Sequence, residues 1–178
     1  PGRLILFERV ENELYRIDME FSRVFQGKPF VMVLGDILDR GKLAWAMETF
    51  KPQVVFHAAA YKHVPIMESH PLEAIKNNVQ GTLNVAEASL EAGVEKFVLI
   101  STDKAVSPVN VMGATKRIAE LICQGMNGEK KTKFIAVRFG NVLNSAGSVI
   151  PLFRDQIMKG GPVTVTHSEM TRYFMSIP

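Results

Sequence analysis

A Ser-Thr-Asp-Lys run follows an apolar stretch, so that Thr102, Asp103 and Lys104 offer a hydroxyl, a carboxylate and an amine at consecutive positions. A carboxylic acid beside an amine can act as acid and base on neighbouring atoms of one substrate. Further along, Lys116 lies four residues after Met112. On a helix these two positions share a face, so we expect Lys116 to hold a ligand while residue 112 faces the substrate.

The elements that position these residues follow from hydrophobic periodicity. Short apolar runs predict buried parallel strands at Leu4–Phe7, Phe30–Leu34, Val54–Phe56, Phe97–Ile100 and Phe134–Val137. Between them, apolar stripes of helical spacing cover residues 14–24, 43–50, 72–90 and about 112–126. Asp39 is the expected N-cap of the second helix, and Gly93 is expected to end the third. This alternation predicts an α/β fold with a Rossmann-like, doubly wound parallel sheet.

Composition limits the class of protein. The 178 residues are 47% hydrophobic, which suffices for one domain. A net charge of +3 with scattered basic residues does not indicate nucleic-acid binding. Cys123 is the only cysteine, so a reducing compartment is expected. No metal site is expected, because metal-ligand spacing is lacking among His57, His63, His70 and His167.

A fold of this kind is expected to carry a glycine-rich loop after its first strand, where a helix N-terminus binds a pyrophosphate. The glycines at 125, 128, 140, 147, 160 and 161 have neither the spacing nor the preceding strand. We therefore expect LILFE to be the second strand, with the first strand and its loop preceding Pro1. The chain must then close a central gap, borrow a strand from another copy or pack loosely.

Three predicted strand ends could contact a dinucleotide. Glu8 could accept hydrogen bonds from a ribose and Arg9 could meet a 2′-phosphate, which leaves NAD and NADP both open. Asp36 could hold an adenine amino group or simply form a turn. The small residues Ala58–Ala60 could admit a cofactor backbone, or could serve tight packing of a helix on the sheet.

Five segments, taken in order, resemble one enzyme family. They read FHAAAYKHVPIMESHP, NNVQGTLNVAEAS, KFVLISTDKAVSPVNVMGATKR, VRFGNVLNSAGSVIPLF and PVTVTHSEMTRYFMSIP. The chain resembles the polysaccharide-biosynthesis nucleotide-sugar 4,6-dehydratases of the extended short-chain dehydrogenase/reductase superfamily, capsule and flagellin-glycan members included. The resemblance implies UDP-N-acetylglucosamine or a related UDP-amino sugar as substrate and NAD or NADP as cofactor. Such enzymes move a hydride from C4 to C6 while water leaves across C5 and C6, giving a 4-keto-6-deoxy sugar.

The resemblance also implies roles for individual residues. Asp103 is expected to protonate the departing C6 hydroxyl, and Lys104 to remove the C5 proton. Thr102 is expected to hydrogen-bond the C4 hydroxyl, and Lys116 to grip the nicotinamide ribose. The remaining matches are Asp36 and Ile37 for the adenine, Ala58, Ala59 and Ala60 beside the pyrophosphate, and Lys62, Asn141, Ser148, Val149 and Arg172 for the substrate.

Met112 departs from the Tyr-x-x-x-Lys pattern of the superfamily, because a thioether cannot accept or release the C4 hydroxyl proton. Larger, membrane-anchored members of the family resemble this chain in having Met there, which favours altered machinery. We expect Thr102 with Asp103 to take over that proton. The alternatives are a UDP-sugar 4-epimerase, a dehydratase that also inverts C5, and a non-catalytic nucleotide-binding or scaffolding domain.

The expected organisation is one NAD(P)-binding Rossmann-like domain fragment over residues 1–178, with the substrate-binding part starting at about residue 141. By itself this fragment is expected to be inactive, and a homo-oligomer is expected for the intact protein. The expected location is the cytoplasm, and the resemblance allows a cytoplasmic domain of a membrane-anchored protein. No apolar run in the chain is long enough for a membrane span.

Overall fold

The structure is a computed structural model of the chain, and it describes residues 2–24, 27, 29–128, 131–143, 149–165, 167–169 and 171–176. The strands are β1 Leu4–Glu8, β2 Phe30–Leu34, β3 Val54–His57, β4 Lys96–Thr102, β5 Lys133–Phe139, β6 Asn141–Val142 and β7 Phe174–Met175. The α-helices are α1 Glu11–Val24, α2 Arg40–Phe50, α3 Val64–Ser69, α4 Pro71–Ala74, α5 Gly81–Glu91, α6 Val111–Met126 and α7 Val149–Met158. A π-helical segment, Ile75–Gln80, joins α4 to α5, and a 3₁₀ turn, Asp103–Ala105, follows β4.

The strands form parallel sheets. β1 pairs with β2, the order of the second sheet is β3-β4-β5, and β6 pairs with β7. Within the residues the structure describes, no ladder of hydrogen bonds joins β1 to β3. Each of these two strands thus has one edge without a ladder partner among the described residues. The predicted α/β fold with a Rossmann-like parallel sheet is confirmed.

The main core lies on one face of the three-stranded sheet. Phe97 and Leu99 of β4 and Phe134 of β5 are buried there against apolar residues of α2, α5 and α6. Side chains alternate between the two faces of a strand, so the residues between them point the other way. On that other face Phe56 of β3 is 71% exposed and Ile135 of β5 is 42% exposed. Helices α2, α5 and α6 thus stabilise one face of the sheet only, among the described elements.

The predicted strands are all present, some extended by one or two residues at either end. Asp39 caps α2, because its side chain accepts a hydrogen bond from the backbone N–H of Lys42 at 2.9 Å. Gly93 adopts a φ of +69° two residues after α5 ends, which a glycine tolerates without strain, so its predicted role is confirmed. The structure contains no helix, within its described ranges, that is long and apolar enough to cross a membrane.

The apolar stripe predicted over residues 72–90 is wrong in its first half. Leu72 is 77% exposed and Ile75 is 47% exposed, whereas Asn77 and Asn78 are buried. The π-helical segment has more residues per turn than an α-helix, so it rotates the preceding turn away from the core. Further along, Ala86 is buried and Leu90 packs against the main core, as the stripe predicts.

Candidate active site

A cleft of about 410 Å³ opens where β3, β4 and β5 end at their carboxyl ends, the edge at which α/β sheets bind ligands. Its lining includes nine of the predicted site residues: Ala58, Ala60, Lys62, Thr102, Lys104, Met112, Lys116, Asn141 and Val149. A larger hollow, of about 660 Å³, lies between the C-terminal ends of α2 and α5. That hollow is lined by none of the predicted residues, so the smaller cleft is the candidate active site.

The 3₁₀ turn after β4 brings three functional groups together. The Thr102 hydroxyl donates to Oδ1 of Asp103 at 2.9 Å, and Nζ of Lys104 donates to the same oxygen at 3.0 Å. Nζ of Lys104 also lies 3.4 Å from Oδ1 of Asn141, which follows β5. Burial raises the pKa of Asp103, but the hydrogen bonds from Lys104 and Thr102 outweigh it and hold the pKa below its usual value. Asp103 is therefore a carboxylate in the free protein.

The N-terminus of α6 packs directly on this turn. Asn110 caps the helix by accepting the backbone N–H of Gly113 at 2.7 Å, and Glu68 accepts that of Val111 at 2.6 Å. A Cβ at residue 113 would lie 2.5 Å from the carbonyl oxygen of Lys104. Glycine at this position thus allows α6 to approach the turn closely, which places Met112 and Lys116 in the cleft.

Lys116 lies in this cleft as a buried amine. It is 5% exposed, and burial lowers its pKa to about 8 although Cys123 and Glu120 act to raise it. No hydrogen bond to its Nζ occurs from the described residues, so its donors remain for a ligand. A lysine buried to this degree is not a simple solvated surface residue. The same charge, after burial, lowers the pKa of the neighbouring His57 to about 3.

Met112 faces the cleft from an apolar cluster. Its side chain is 4% exposed and packs with Met67, Ala74 and the ring of Tyr61. Lys116 and Met112 therefore share the buried face of α6, as their spacing predicts. The position that a tyrosine would take in the superfamily pattern holds a well-packed thioether that offers no proton to exchange.

The ends of β1 and β2 carry a second polar group. Oε1 of Glu8 accepts the backbone N–H groups of Arg9 and Val10, both at 2.9 Å. The guanidinium of Arg9 lies 4.9 Å from the ring centre of Tyr61, donates to the Tyr61 hydroxyl at 2.5 Å and pairs with Asp36 at 3.7 Å. Arg9 thereby bridges from the end of β1 to the loop after β3. In the strand order expected for this fold, the order reverses between these two strands, and such sheets bind dinucleotides at that place.

Comparisons with known proteins identify the family of this chain. The sequence profile described as polysaccharide biosynthesis protein matches residues 1–178. The chain belongs to the polysaccharide biosynthesis protein family. It is 58% identical over 180 residues to the capsular polysaccharide biosynthesis protein CapD of Staphylococcus aureus, covering 100% of this chain and 30% of CapD. It is 39% identical over 181 residues to a UDP-N-acetylglucosamine 4,6-dehydratase (inverting) of Campylobacter jejuni, covering 99% of this chain and 52% of the relative.

One solved structure has a similar fold over nearly the whole of this chain. The X-ray structure of Pen from Bacillus thuringiensis matches with a TM-score of 0.90 and 39% identity, over 99% of this chain and 53% of that one. This chain thus spans about a third to a half of the length of the relatives it matches. Its fold matches that of Pen over nearly all the residues of this chain.

Several predicted residues of this family member lie away from the cleft lining. The carboxylate of Asp36 accepts the backbone N–H of Leu38 at 2.9 Å, and the side chain of Ile37 is part of the main core. Ala59 is exposed between two residues of the lining. Arg172 is exposed next to Tyr173, whose carbonyl accepts the N–H of Asn141 at 2.7 Å. Ser148 lies outside the described residues.

Asn78 is a site residue that the sequence reasoning missed. Its Oδ1 accepts the backbone N–H of Tyr61 at 2.8 Å, and its Nδ2 donates to the Tyr61 carbonyl at 3.0 Å and to the Thr115 hydroxyl at 3.1 Å. This buried side chain therefore fixes the loop that carries Ala58–Ala60 against α6. The signal that could have revealed it is the pair of asparagines inside an apolar helical pattern.

Proposed function

We propose that the protein carrying this chain is an NAD(P)-dependent 4,6-dehydratase of UDP-N-acetylglucosamine or a related UDP-amino sugar. Its product is a 4-keto-6-deoxy sugar for capsule, O-antigen or protein-glycan synthesis. The observation that carries the proposal is the contact between Asp103 and Lys104 beside a cleft that also contains the buried amine of Lys116. The relative named as a UDP-N-acetylglucosamine 4,6-dehydratase supports the substrate class.

The residues of the cleft fit a nicotinamide dinucleotide. The small side chains of Ala58 and Ala60 leave space for the cofactor along one wall of the cleft, and the ammonium group of Lys116 can donate hydrogen bonds to ribose hydroxyls. Arg9 and Asp36 are suited to bind the adenosine half of the dinucleotide, and they fit either NAD or NADP. No glycine-rich loop follows β1, β2 or β3, so these residues do not provide the pyrophosphate contact. When bound, a dinucleotide held by these residues would supply the hydride acceptor for C4 and the hydride donor for C6.

Dehydration across C5 and C6 needs an acid and a base in fixed geometry. In the proposed step Asp103, in its protonated form, gives its proton to the departing C6 hydroxyl. Lys104, in its neutral form, removes the C5 proton, and its contact with Asn141 orients the amine. Because the lysine and the carboxylate form an ion pair in the free protein, Asp103 must gain a proton and the Lys104 ammonium must release one to solvent water before elimination begins; the C5 proton then returns Lys104 to its charged form.

The first oxidation needs a base for the C4 hydroxyl proton, which Met112 cannot be. The Thr102 hydroxyl donates to Oδ1 of Asp103 and accepts the backbone N–H of Lys104 at 3.4 Å, so one lone pair remains for the sugar hydroxyl. We propose a relay in which Thr102 accepts the sugar proton while its own proton passes to Asp103. The relay leaves Asp103 protonated, which is the form required to release water in the next step.

Incubation of the full-length protein with UDP-N-acetylglucosamine, followed by NMR of the products, tests this function. A 4-keto-6-deoxy sugar is the expected product, and the configuration at C5 separates retention from inversion. A C4 epimer would contradict the proposal in favour of an epimerase, which eliminates no water and has no use for the Asp103–Lys104 pair. Unchanged substrate would contradict it in favour of a binding or scaffolding domain.

The wider organisation belongs to the same proposal. We propose one dinucleotide-binding unit over residues 1–178, whose substrate-binding part begins at about residue 141, where β6 pairs with β7 rather than with β5. Self-association is supported by exposed apolar side chains on α6 and on the segments that α6 contacts, namely Ile66, Leu72, Ile75, Ile118 and Leu121. A cytoplasmic location is supported by the single, unpaired cysteine, which suits a reducing compartment.

A further inference from the structure

Glu120 is a buried charged residue that the proposed reaction does not use. Its side chain is 5% exposed, and its carboxylate accepts four hydrogen bonds. The donors are Oγ of Ser101 at 2.6 Å, Nε and Nη2 of Arg138 at 2.8 and 2.7 Å, and Nη1 of Arg117 at 3.0 Å. A buried carboxylate stays charged only with such partners. Burial raises the pKa of Glu120, but these bonds bring it down to about 2.

The partners of Glu120 belong to the segments that carry the candidate active site. Ser101 directly precedes Thr102 at the end of β4. Arg138 of β5 is paired in register with Ser101, and its strand leads to Asn141. Glu120 itself lies one helical turn after Lys116 on α6. One carboxylate thus joins the strand ends that present the acid and the base to the helix that presents the buried amine.

Glu120 also acts electrostatically on Lys116. Burial lowers the pKa of this lysine, and the negative charge of Glu120 opposes that effect. Other titratable or charged groups near the two side chains come from each packed element. They are His57 at the end of β3, Asp103 and Lys104 after β4, Arg138 on β5, Arg117 and Cys123 on α6, and the cleft-lining Lys62 and His63.

We propose that Glu120 is a positioning residue that holds the end of β4 against α6 and, from one turn further along the same buried face of α6, stabilises the ammonium form of Lys116 for a ligand. The inference rests on the proposed function for its consequence in catalysis, but its effect on Lys116 is independent of any reaction. A carboxylate that served only to neutralise two arginines would stabilise the fold without changing the protonation of Lys116.

Three variants of the full-length protein separate these roles. Glu120→Gln keeps the size and removes the charge, and Glu120→Asp keeps the charge but withdraws it by one methylene. The matched control is Glu87→Gln, because Glu87 of α5 pairs with Arg40 at 2.7 Å and is not part of the cleft. The readout is the pH dependence of Lys116 acetylation by acetic anhydride, followed by mass spectrometry, together with the pH profile of kcat/KM and the Tm.

In Glu120→Gln the midpoint of Lys116 acetylation and the alkaline limb of kcat/KM should move to lower pH by about 0.5 unit or more. Glu120→Asp should move both by less, and it decides the matter if the Gln variant does not fold. Glu87→Gln should leave both unchanged even if its Tm falls. An unmoved midpoint in both Glu120 variants overturns the inference, whatever happens to the Tm. Failure of the proposed function is distinct, because the unaltered protein would then form no 4-keto sugar while acetylation still reports on Glu120.

Discussion

Nζ of Lys104 lies 3.0 Å from Oδ1 of Asp103, so the base and the acid of the proposed elimination are hydrogen-bonded partners in the free protein. Thr102 donates to the same carboxylate oxygen. This one oxygen therefore connects the group that would accept the C4 hydroxyl proton to the group that would remove the C5 proton.

Asp103→Asn should lower kcat for dehydration about 10²–10⁴-fold, because an amide keeps the shape of the turn but neither receives nor gives the required proton. Affinity for the UDP-sugar should change little. Steady-state kinetics with product NMR measures both quantities. Dehydration that proceeds at the normal rate in this variant would refute the assignment of Asp103 as the acid.

Thr102→Val removes the hydroxyl that links the sugar to Asp103 and should slow the first oxidation at least about tenfold. Thr102→Ser is the matched control, since it keeps the hydroxyl and should retain most of the activity. Single-turnover absorbance of the reduced dinucleotide follows this step directly. Equal oxidation rates in the two variants would exclude the relay through Thr102.

Met112→Tyr should not raise the turnover number of the enzyme. The side chain is packed against Met67, Ala74 and Tyr61, so a larger ring would overpack the cluster at a cost of about 1–3 kcal/mol. Met112→Leu, of similar volume, should preserve both stability and turnover. An increase in turnover by orders of magnitude in Met112→Tyr would mean that the site has lost its base and not replaced it.

Lys116→Met should stabilise the protein at pH 7 while weakening dinucleotide binding. The pKa of Lys116 is about 8, against 10.5 for an ordinary lysine. The folded state therefore binds this proton more weakly than the unfolded state does, which lowers the free energy of unfolding. This cost is fully present below pH 8 and disappears as the pH rises towards 10.5; removing it is worth on the order of 3 kcal/mol at pH 7. Urea unfolding at pH 7 and pH 10 checks it, and an equal stability difference at both would count against a strained lysine.

Gly113→Ala should lower the catalytic rate more than it lowers the stability of the protein. The added methyl would sit 2.5 Å from the Lys104 carbonyl oxygen and push α6 away from the catalytic turn, and a misplacement of about 1 Å can cost about 10²-fold in rate. Gly125→Ala on the same helix is the control, because its Cβ meets nothing within 4 Å and should stabilise the helix by about 0.5–1 kcal/mol. Comparable activity in the two variants would contradict the close packing of α6 on the turn.

The sequence predicts the local elements of this molecule well because apolar periodicity reports which face of each element is buried. The strands, the caps at Asp39 and Gly93 and the shared face of Met112 and Lys116 all follow from such spacing. The π-helical segment could not be predicted this way, since it shifts the phase of the stripe without a distinctive residue pattern.

Contacts between distant segments could not be predicted either. Arg9 meets Tyr61 across 52 positions of sequence, and Glu120 meets Arg138 across 18. Both contacts depend on strand order and register, which no single segment determines. The role proposed for Asp36 could not be decided from the sequence either. A carboxylate after a strand can accept a hydrogen bond from the following turn, as Asp36 does here, or can bind a ligand.

Deuterium transfer within the sugar tests the central claim most directly. Full-length protein given UDP-N-acetylglucosamine labelled with deuterium at C4, in ordinary water, should yield a 4-keto sugar with deuterium in the C6 methyl group. That outcome requires a hydride taken from C4, water lost across C5 and C6, and the same hydride returned to C6. A C6 methyl group without deuterium, or a label that remains at C4, would contradict the account.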